Sequence, residues 1–600
     1  MADDLAGLIR DAAAWLSGLA RVSPGQKTLG EWLLLHLGRE LSEMLQRLQV
    51  RVSDAPAAGG FADPHETLRG RGVLETVQLL LTQALIDPPA LARHVGHFAG
   101  EALHILEGHS SLEPAANDFR FKDGLWQGSM LLRTLLQLYL AAERFLLAWL
   151  DEMALPERDR RRVKFLIEQV LAALAPSNLP LNPAALRRAE STEGQSVLAG
   201  VRRWLDDAIH NRFMPRQIRP GAYQVGRDLA LTPGAVVYRN EYLELIQYAP
   251  QTATVRRRPV LLLPPQINKF YVFDLRPQNS IIGHLLQSGL QMFVISWRNP
   301  TAEHAHWGLD DYVKAAQSAI DTVCQITRSQ TIGLISACAG GLTAMALLGY
   351  LAESGERRVT NHSLLVTCLF PNEGSDLELF ATPEWLARAR ALVQAQGVMN
   401  GEDLARVFFW MRPTELVWRY WVNNYLLGKD PPRLDVLQWD NDPTRLPAAL
   451  HSDFLDMYAY DVFRRPGALR VRGYPIDFRK IRLDSYVVGG EDDTMMPWGG
   501  CFQACQVFRG RHTFVLSTSG HVQSILRPPR VANKHYYTGA MRRCSPETWR
   551  RDATRIEGSW WGHWHAWLNA NSGALKRAPT RLGSPAHPPL MPAPGSYVLE

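Results

Sequence analysis

The chain has 600 residues, is 46% apolar and 21% charged, and carries a net charge of +6. That length predicts two or more domains, and the composition is that of a folded globular protein rather than a disordered or fibrous one. The basic residues are spread along the chain, so no concentrated basic face points to nucleic acid.

The six cysteines are Cys324, Cys338, Cys368, Cys501, Cys505 and Cys544. Cys501 and Cys505 lie four apart without a second pair at zinc-site spacing, so neither a metal nor another cofactor is expected. Few cysteines in a long chain, with an acidic start and no secretory signal, predict free thiols in a cytoplasmic protein.

Residues 1–70 read as an N-terminal extension with two helical patterns, one over Leu29–Leu48, followed by a Pro/Gly/Ala linker at 55–64. Residues 71–215 form an all-helical domain. Helical periodicity runs over Val73–Ile86, Pro89–Glu107, Met130–Glu152 and Arg162–Leu174, then about Gly194–Asn211 beyond the breaker Pro176–Pro183. The most membrane-like window, Leu131–Leu150, contains Arg133, Glu143 and Arg144. It predicts an amphipathic helix and no transmembrane segment.

From Gln224 the pattern changes. Val236–Tyr238 and Leu243–Tyr248 read as strands with exposed edges. Val260–Leu263 and Met292–Ser296 are continuous apolar runs, and the helix Leu309–Thr327 leads to a third run at Ile332–Ile335. Apolar strands alternating with helices predict a parallel sheet covered on both faces. Strand signals vanish over about 370–466, an aromatic-rich helical stretch expected to insert as a cap or lid, and resume at Ser485–Val488 and Thr513–Leu516. The tryptophans 560, 561, 564 and 567 are expected in a packed core or interface helix.

Around Cys338 the chain reads strand, Ser336-Ala337-Cys338-Ala339-Gly340-Gly341, helix. This is the layout of a nucleophile elbow, with Ser336 in place of the first glycine. The helix N-terminus behind the sulfur favours negative charge there. In such a fold the partners follow in the order acid, then histidine. The turn after Ser485–Val488 offers Glu491, Asp492 and Asp493, and the loop after Thr513–Leu516 offers His521. The expected triad is Cys338, Asp493 and His521. His521 takes the thiol proton, Asp493 orients the imidazole, and the Ala339 amide forms half of an oxyanion hole. The fold class is α/β: an α/β-hydrolase fold over 216–600 with a helical cap, behind the helical N-terminal domain.

Longer motifs carry a family resemblance. Val260–Leu275 (VLLLPPQINKFYVFDL), Ser296-Trp-Arg-Asn-Pro300, Tyr420–Gly428, Trp439–Pro447 (WDNDPTRLP) and Ser519–Leu526 (SGHVQSIL) resemble polyhydroxyalkanoate synthases, most closely the pseudomonad, medium-chain type. The resemblance implies polymerisation of (R)-3-hydroxyacyl-coenzyme A into polyester with release of CoA, through an acyl group carried on Cys338. It also places Asp493 as the acid, His521 as the base and the Ile267 amide as the second oxyanion donor. It further implies a homodimer associated with polyester granules in the cytoplasm. The sequence departs from the family at Ser336, at Ala339 and at Thr494, where Asp493 is usually followed by histidine. Two alternatives stay open at this point: a thioester or polyester hydrolase of the same fold, and an inactive granule-binding paralogue. Because an elbow turn normally carries glycine at position 336, Ser336→Gly is expected to keep or raise activity.

Overall fold

The computed structural model describes residues 71–370, 374–380, 382–529 and 534–600. The helical pattern at Leu29–Leu48 and the linker lie outside the described residues. At the centre is an eleven-stranded sheet. Its strands are β1 (Gly234–Arg239), β2 (Leu243–Tyr248), β3 (Val260–Leu263), β4 (Met292–Trp297), β5 (Ile332–Ala337), β6 (Val359–Leu365), β7 (Asp484–Gly490), β8 (His512–Ser517), β9 (His535–Thr538), β10 (Thr554–Glu557) and β11 (Met591–Pro592). The spatial order is β10-β9-β8-β7-β6-β5-β3-β4-β2-β1-β11. From β4 through β8 the neighbours are parallel, and the strands outside them pair antiparallel.

The apolar runs are the parallel strands, because a strand covered on both faces buries every residue. β3, β4 and β5 are buried throughout. Alternate residues feed two cores: Leu261, Phe293 and Leu334 on one face, Leu262, Val294 and Ile335 on the other. β2 is also fully buried, between β1 and β4, so its edge is not exposed. Periodicity at Val236–Tyr248 does not show this, since burial of the edge depends on β11 and β4 arriving from elsewhere. The helix Trp561–Asn571 buries Trp561 and Trp564 beside Trp560 in the second core.

The N-terminal helices are α1 (Arg71–Ile86), α2 (Pro88–Leu106), α3 (Met130–Glu152), α4 (Glu157–Leu174) and α5 (Gln195–His210). α3 turns Leu132, Leu136 and Tyr139 onto Val163, Ile167 and Leu171 of α4, a stripe at helical spacing. No helix among the described residues is long and apolar enough to cross a membrane. α5 meets the helical segment between β6 and β7 at very short range: a methyl group on Gly200 would stand 1.8 Å from the Tyr425 carbonyl oxygen. Tyr425 donates its hydroxyl to Asp207 at 2.8 Å, and the Trp421 indole donates to the Asn178 carbonyl at 3.1 Å. These aromatics of the cap thus pack against the N-terminal helices.

Candidate active site

β5 delivers the chain into α6 (Cys338–Ser354), and the residue at the corner is Cys338, with φ of +48°. A β-carbon in this left-handed region costs about 1–2 kcal/mol, so the surroundings must hold it there. They do so by close approach behind the sulfur. A methyl group on Gly340 would lie 2.5 Å from the Pro264 carbonyl oxygen, and one on Gly341 would lie 2.2 Å from the Thr367 hydroxyl. Thr367 donates its hydroxyl to the Cys338 carbonyl at 3.2 Å. The turn is therefore clamped between the end of β3 and the segment after β6.

His521 follows β8 and Asp493 follows β7, neighbouring parallel strands whose C-terminal ends lie side by side. The His521 Nδ1 stands 2.6 Å from the Asp493 Oδ2. The Asp493 Oδ1 accepts the amides of Met495 and Met496 at 3.1 and 2.9 Å, so both carboxylate oxygens are engaged. The Asp493 side chain is 1% exposed and that of His521 12%. Burial pulls the His521 pKa down, yet the Asp493 carboxylate and the Cys338 sulfur outweigh it and hold the imidazole well above its ordinary value. The structure thus brings Cys338, His521 and Asp493 together.

Of the three acids in the turn after β7, only Asp493 is buried. Glu491 pairs with Arg550 at 2.9 Å and Asp492 is exposed. Thr494 points no group at the histidine among the bonds described; its carbonyl accepts the Asp376 amide at 3.1 Å.

The loop after β3 carries Ile267. The Trp297 indole donates to the Pro264 carbonyl at 2.9 Å, and the Gln266 amide donates to Thr343 of α6 at 2.9 Å. From the cap, the Thr444 hydroxyl donates to the Gln266 carbonyl at 2.6 Å, and the Thr444 amide to the Ile267 carbonyl at 3.1 Å. The Ile267 amide has no backbone acceptor among the described residues. Ala339 is the second residue of α6, where amides have no intrahelical acceptor. Both expected oxyanion donors are therefore on elements fixed against Cys338.

Ser336 has a cross-strand partner. It is fully buried, and its Oγ is 2.7 Å from the Nε2 of His362 on β6. His362 is fully buried as well, and burial lowers its pKa to about 3, so the imidazole is neutral. Its Nδ1 has no partner among the described residues. The serine is thus a bonded member of the core below the elbow.

Two groups near the site escape sequence reasoning. Tyr458, from the cap, is half-buried with its hydroxyl donated to the Cys368 carbonyl at 3.2 Å. Burial, reinforced by the sulfurs of Cys368 and Cys338, keeps its phenol well above the ordinary pKa. Asp440, also from the cap, is coupled electrostatically to His521. The only signal for Asp440 in the sequence is its place in the WDNDPTRLP motif.

Two family descriptions match this chain: the N-terminal region of poly-beta-hydroxybutyrate polymerase over residues 117–285, and the alpha/beta hydrolase fold over 259–528. Poly(3-hydroxyalkanoate) polymerases 1 and 2 of Ectopseudomonas oleovorans are each 44% identical over 533 residues, 89% of this chain and 95% of the relative. The poly(3-hydroxyalkanoate) polymerase subunit of Cupriavidus necator is 33% identical over 514 residues, 84% of this chain and 87% of the relative. With an α/β-hydrolase sheet and a cysteine at its elbow, the chain belongs to the poly(3-hydroxyalkanoate) polymerases, a family of acyltransferases.

Proposed function

We propose that this protein transfers (R)-3-hydroxyacyl groups from CoA thioesters to a growing polyester chain through a covalent acyl intermediate on Cys338. The observation that carries the reading is the 2.6 Å contact of His521 with a buried, doubly anchored Asp493, with the Cys338 sulfur on the other side of the imidazole. His521 accepts the thiol proton, and the Cys338 thiolate attacks the thioester carbonyl. The Ala339 and Ile267 amides receive the oxyanion. The bond to the CoA sulfur breaks, and His521 returns its proton to the departing thiolate. The exchange of one thioester for another is nearly isoenergetic, so the acyl group stays activated. The 3-hydroxyl of the next monomer then gives up its proton and attacks the Cys338 thioester, forming an ester and freeing the sulfur. Both Asp493 oxygens are occupied, which favours His521 over Asp493 as the base for that hydroxyl.

Medium-chain monomers are the expected substrates, in keeping with the pseudomonad-type motifs and the higher identity to the Ectopseudomonas oleovorans relatives. The proposed organisation is an extension over 1–70, a helical domain over 71–215 and a catalytic domain over 216–600 with its cap at about 370–466. A homodimer at the surface of cytoplasmic polyester granules completes the reading. The test is purified protein with (R)-3-hydroxydecanoyl-CoA and, in parallel, (R)-3-hydroxybutyryl-CoA. The expected result is CoA release with insoluble polyester, faster for the longer acyl group, and background release from Cys338→Ala. Free hydroxy acid as the product would overturn the polymerase reading in favour of a hydrolase.

A further inference from the structure

The turn after β7 is held from outside by residues that enter no step of the chemistry. Asp493 owes its anchoring to the amides of Met495 and Met496. Each of the two peptide units that supply these amides is bonded at its carbonyl end as well. The Thr494 carbonyl accepts the Asp376 amide at 3.1 Å, and the Met495 carbonyl accepts the Ser375 hydroxyl at 2.7 Å. A donor on the carbonyl of a peptide unit polarises it and strengthens the bond its amide gives. Burial raises the Asp376 pKa, and a hydrogen bond with the Thr494 hydroxyl and the charge of Arg161 act against it. Thr494, which stands where the family has histidine, is thus engaged with Asp376 through its carbonyl and its hydroxyl.

Residues 375–378 are held in turn by α4 of the N-terminal helices. The Arg161 guanidinium donates to the Ser375 carbonyl at 3.0 Å and stands 3.8 Å from the Asp376 carboxylate and 3.6 Å from that of Glu378. Arg158 donates to the Glu378 carbonyl at 3.1 Å. Ser375 is fully buried, and the Arg161 side chain is 23% exposed. An ion pair in open solvent contributes little. Here one guanidinium separates two largely covered carboxylates and binds a buried carbonyl. Removing it leaves like charges facing each other and takes a donor from that carbonyl, which costs more than the loss of a surface pair. Ser375 accepts from Arg161 and donates to Met495, so a shift of this residue passes straight to a peptide unit that holds Asp493. The bonds run from Arg161 through Ser375, the Met495–Met496 peptide unit and Asp493 to His521 without a gap.

We propose that Arg161 of α4 is a positioning residue for the reaction: through Ser375 and Asp376 it fixes the two peptide units that aim Asp493 at His521. This rests on the Cys338–His521–Asp493 reading of the site and extends it to a helix outside the sheet and its cap. A carboxylate displaced by about an ångström orients the imidazole poorly, which slows the chemical steps without weakening capture of the thioester. Turnover on the sheet thereby depends on the seating of the N-terminal helices.

The experiment measures kcat and KM for CoA release from (R)-3-hydroxydecanoyl-CoA, and the pH profile of kcat, for the full chain and for Arg161→Ala, Arg161→Lys, Ser375→Ala and the double variant Arg161→Ala/Ser375→Ala. Arg161→Ala is expected to lower kcat by about tenfold or more, with KM within about twofold of wild type. Asp493 favours the charged imidazole, so the limb of the profile that belongs to the Cys338–His521 pair should move to lower pH. Arg161→Lys keeps a positive charge between the two carboxylates and should recover part of kcat. Ser375→Ala cuts the link at its second bond and leaves every charge in place. It is expected to lower kcat by about threefold or more, and it carries the test should Arg161→Ala misfold. Both changes act through the same peptide unit, so the double variant should be scarcely slower than Arg161→Ala. An Arg161→Ala protein with the kcat and pH profile of wild type and a lower denaturation midpoint makes the contact a docking clamp and overturns the proposal. A loss carried by KM alone, a wild-type kcat in Ser375→Ala, or multiplying losses in the double variant overturns it too, and each leaves the polymerase reading intact. Absence of CoA release from wild type, or full release from Asp493→Ala, overturns both.

Discussion

The Ser336–His362 pair gives the Ser336→Gly change at the elbow a cost in stability, apart from its expected effect on activity. Ser336→Gly removes the only hydrogen-bond partner that a fully buried, neutral imidazole has among the described residues, where its Nδ1 is already unpartnered. Leaving such a group unsatisfied costs about 1–3 kcal/mol, and glycine in a strand interior adds about 0.5–1 kcal/mol. Ser336→Gly is therefore expected to destabilise by about 2–4 kcal/mol, and Ser336→Ala, which loses the hydroxyl alone, by about 1–3 kcal/mol. The assay is chemical denaturation followed by tryptophan fluorescence on wild type, Ser336→Ala, His362→Leu and the double variant. With the imidazole gone, the hydroxyl has nothing to satisfy, so the two changes should couple by about 1 kcal/mol or more. Additive effects, or a Ser336→Gly protein as stable as wild type, would refute the reasoning. CoA release measured alongside separates loss of fold from loss of chemistry, because Ser336 touches the turn from below and not the substrate side.

Gly340→Ala places a methyl group 2.5 Å from the Pro264 carbonyl and 2.8 Å from the Leu263 carbonyl, both backbone atoms at the end of β3. Backbone yields poorly, so steady-state CoA release should fall by at least about tenfold, as expected when catalytic geometry is displaced by an ångström; a rate within twofold of wild type would show that the clamp is slack. His362 and His451 have pKa values depressed by burial to about 3 and about 4. Unfolded, each titrates near about 6.5. The unfolded chain therefore binds more protons between these values, and stability falls as pH is lowered from about 6.5 towards 3. Denaturation midpoints across that window should drop with acid, and His362→Leu should flatten part of the slope.

The helices from α1 to α5 and the parallel strands β3, β4 and β5 were legible in the sequence. Apolar spacing is a local property, and strands covered on both faces have nothing but apolar residues to offer. Strands β9, β10 and β11 were not. They are short, half-exposed and antiparallel, and their existence depends on β8 and β1 being there to pair with. The order of Cys338, Asp493 and His521 along the chain was legible too, since each follows a strand in the parallel part of the sheet, and parallel strands bring their C-terminal ends to the same side.

Three matters were decided only by the tertiary structure. Asp493 is separated from Glu491 and Asp492 by burial and by the two amides of Met495 and Met496, which exist only once the turn after β7 has closed. Ser336 has its role from a histidine 26 residues away on the next strand. The cap segment around Asp440 is held on the loop after β3 by Trp439 and Thr444, residues far along the chain from that loop. Sequence spacing determines which residues share a strand or a helix face. Which side chains from different elements meet, and which charges go without partners, is set by packing across the fold.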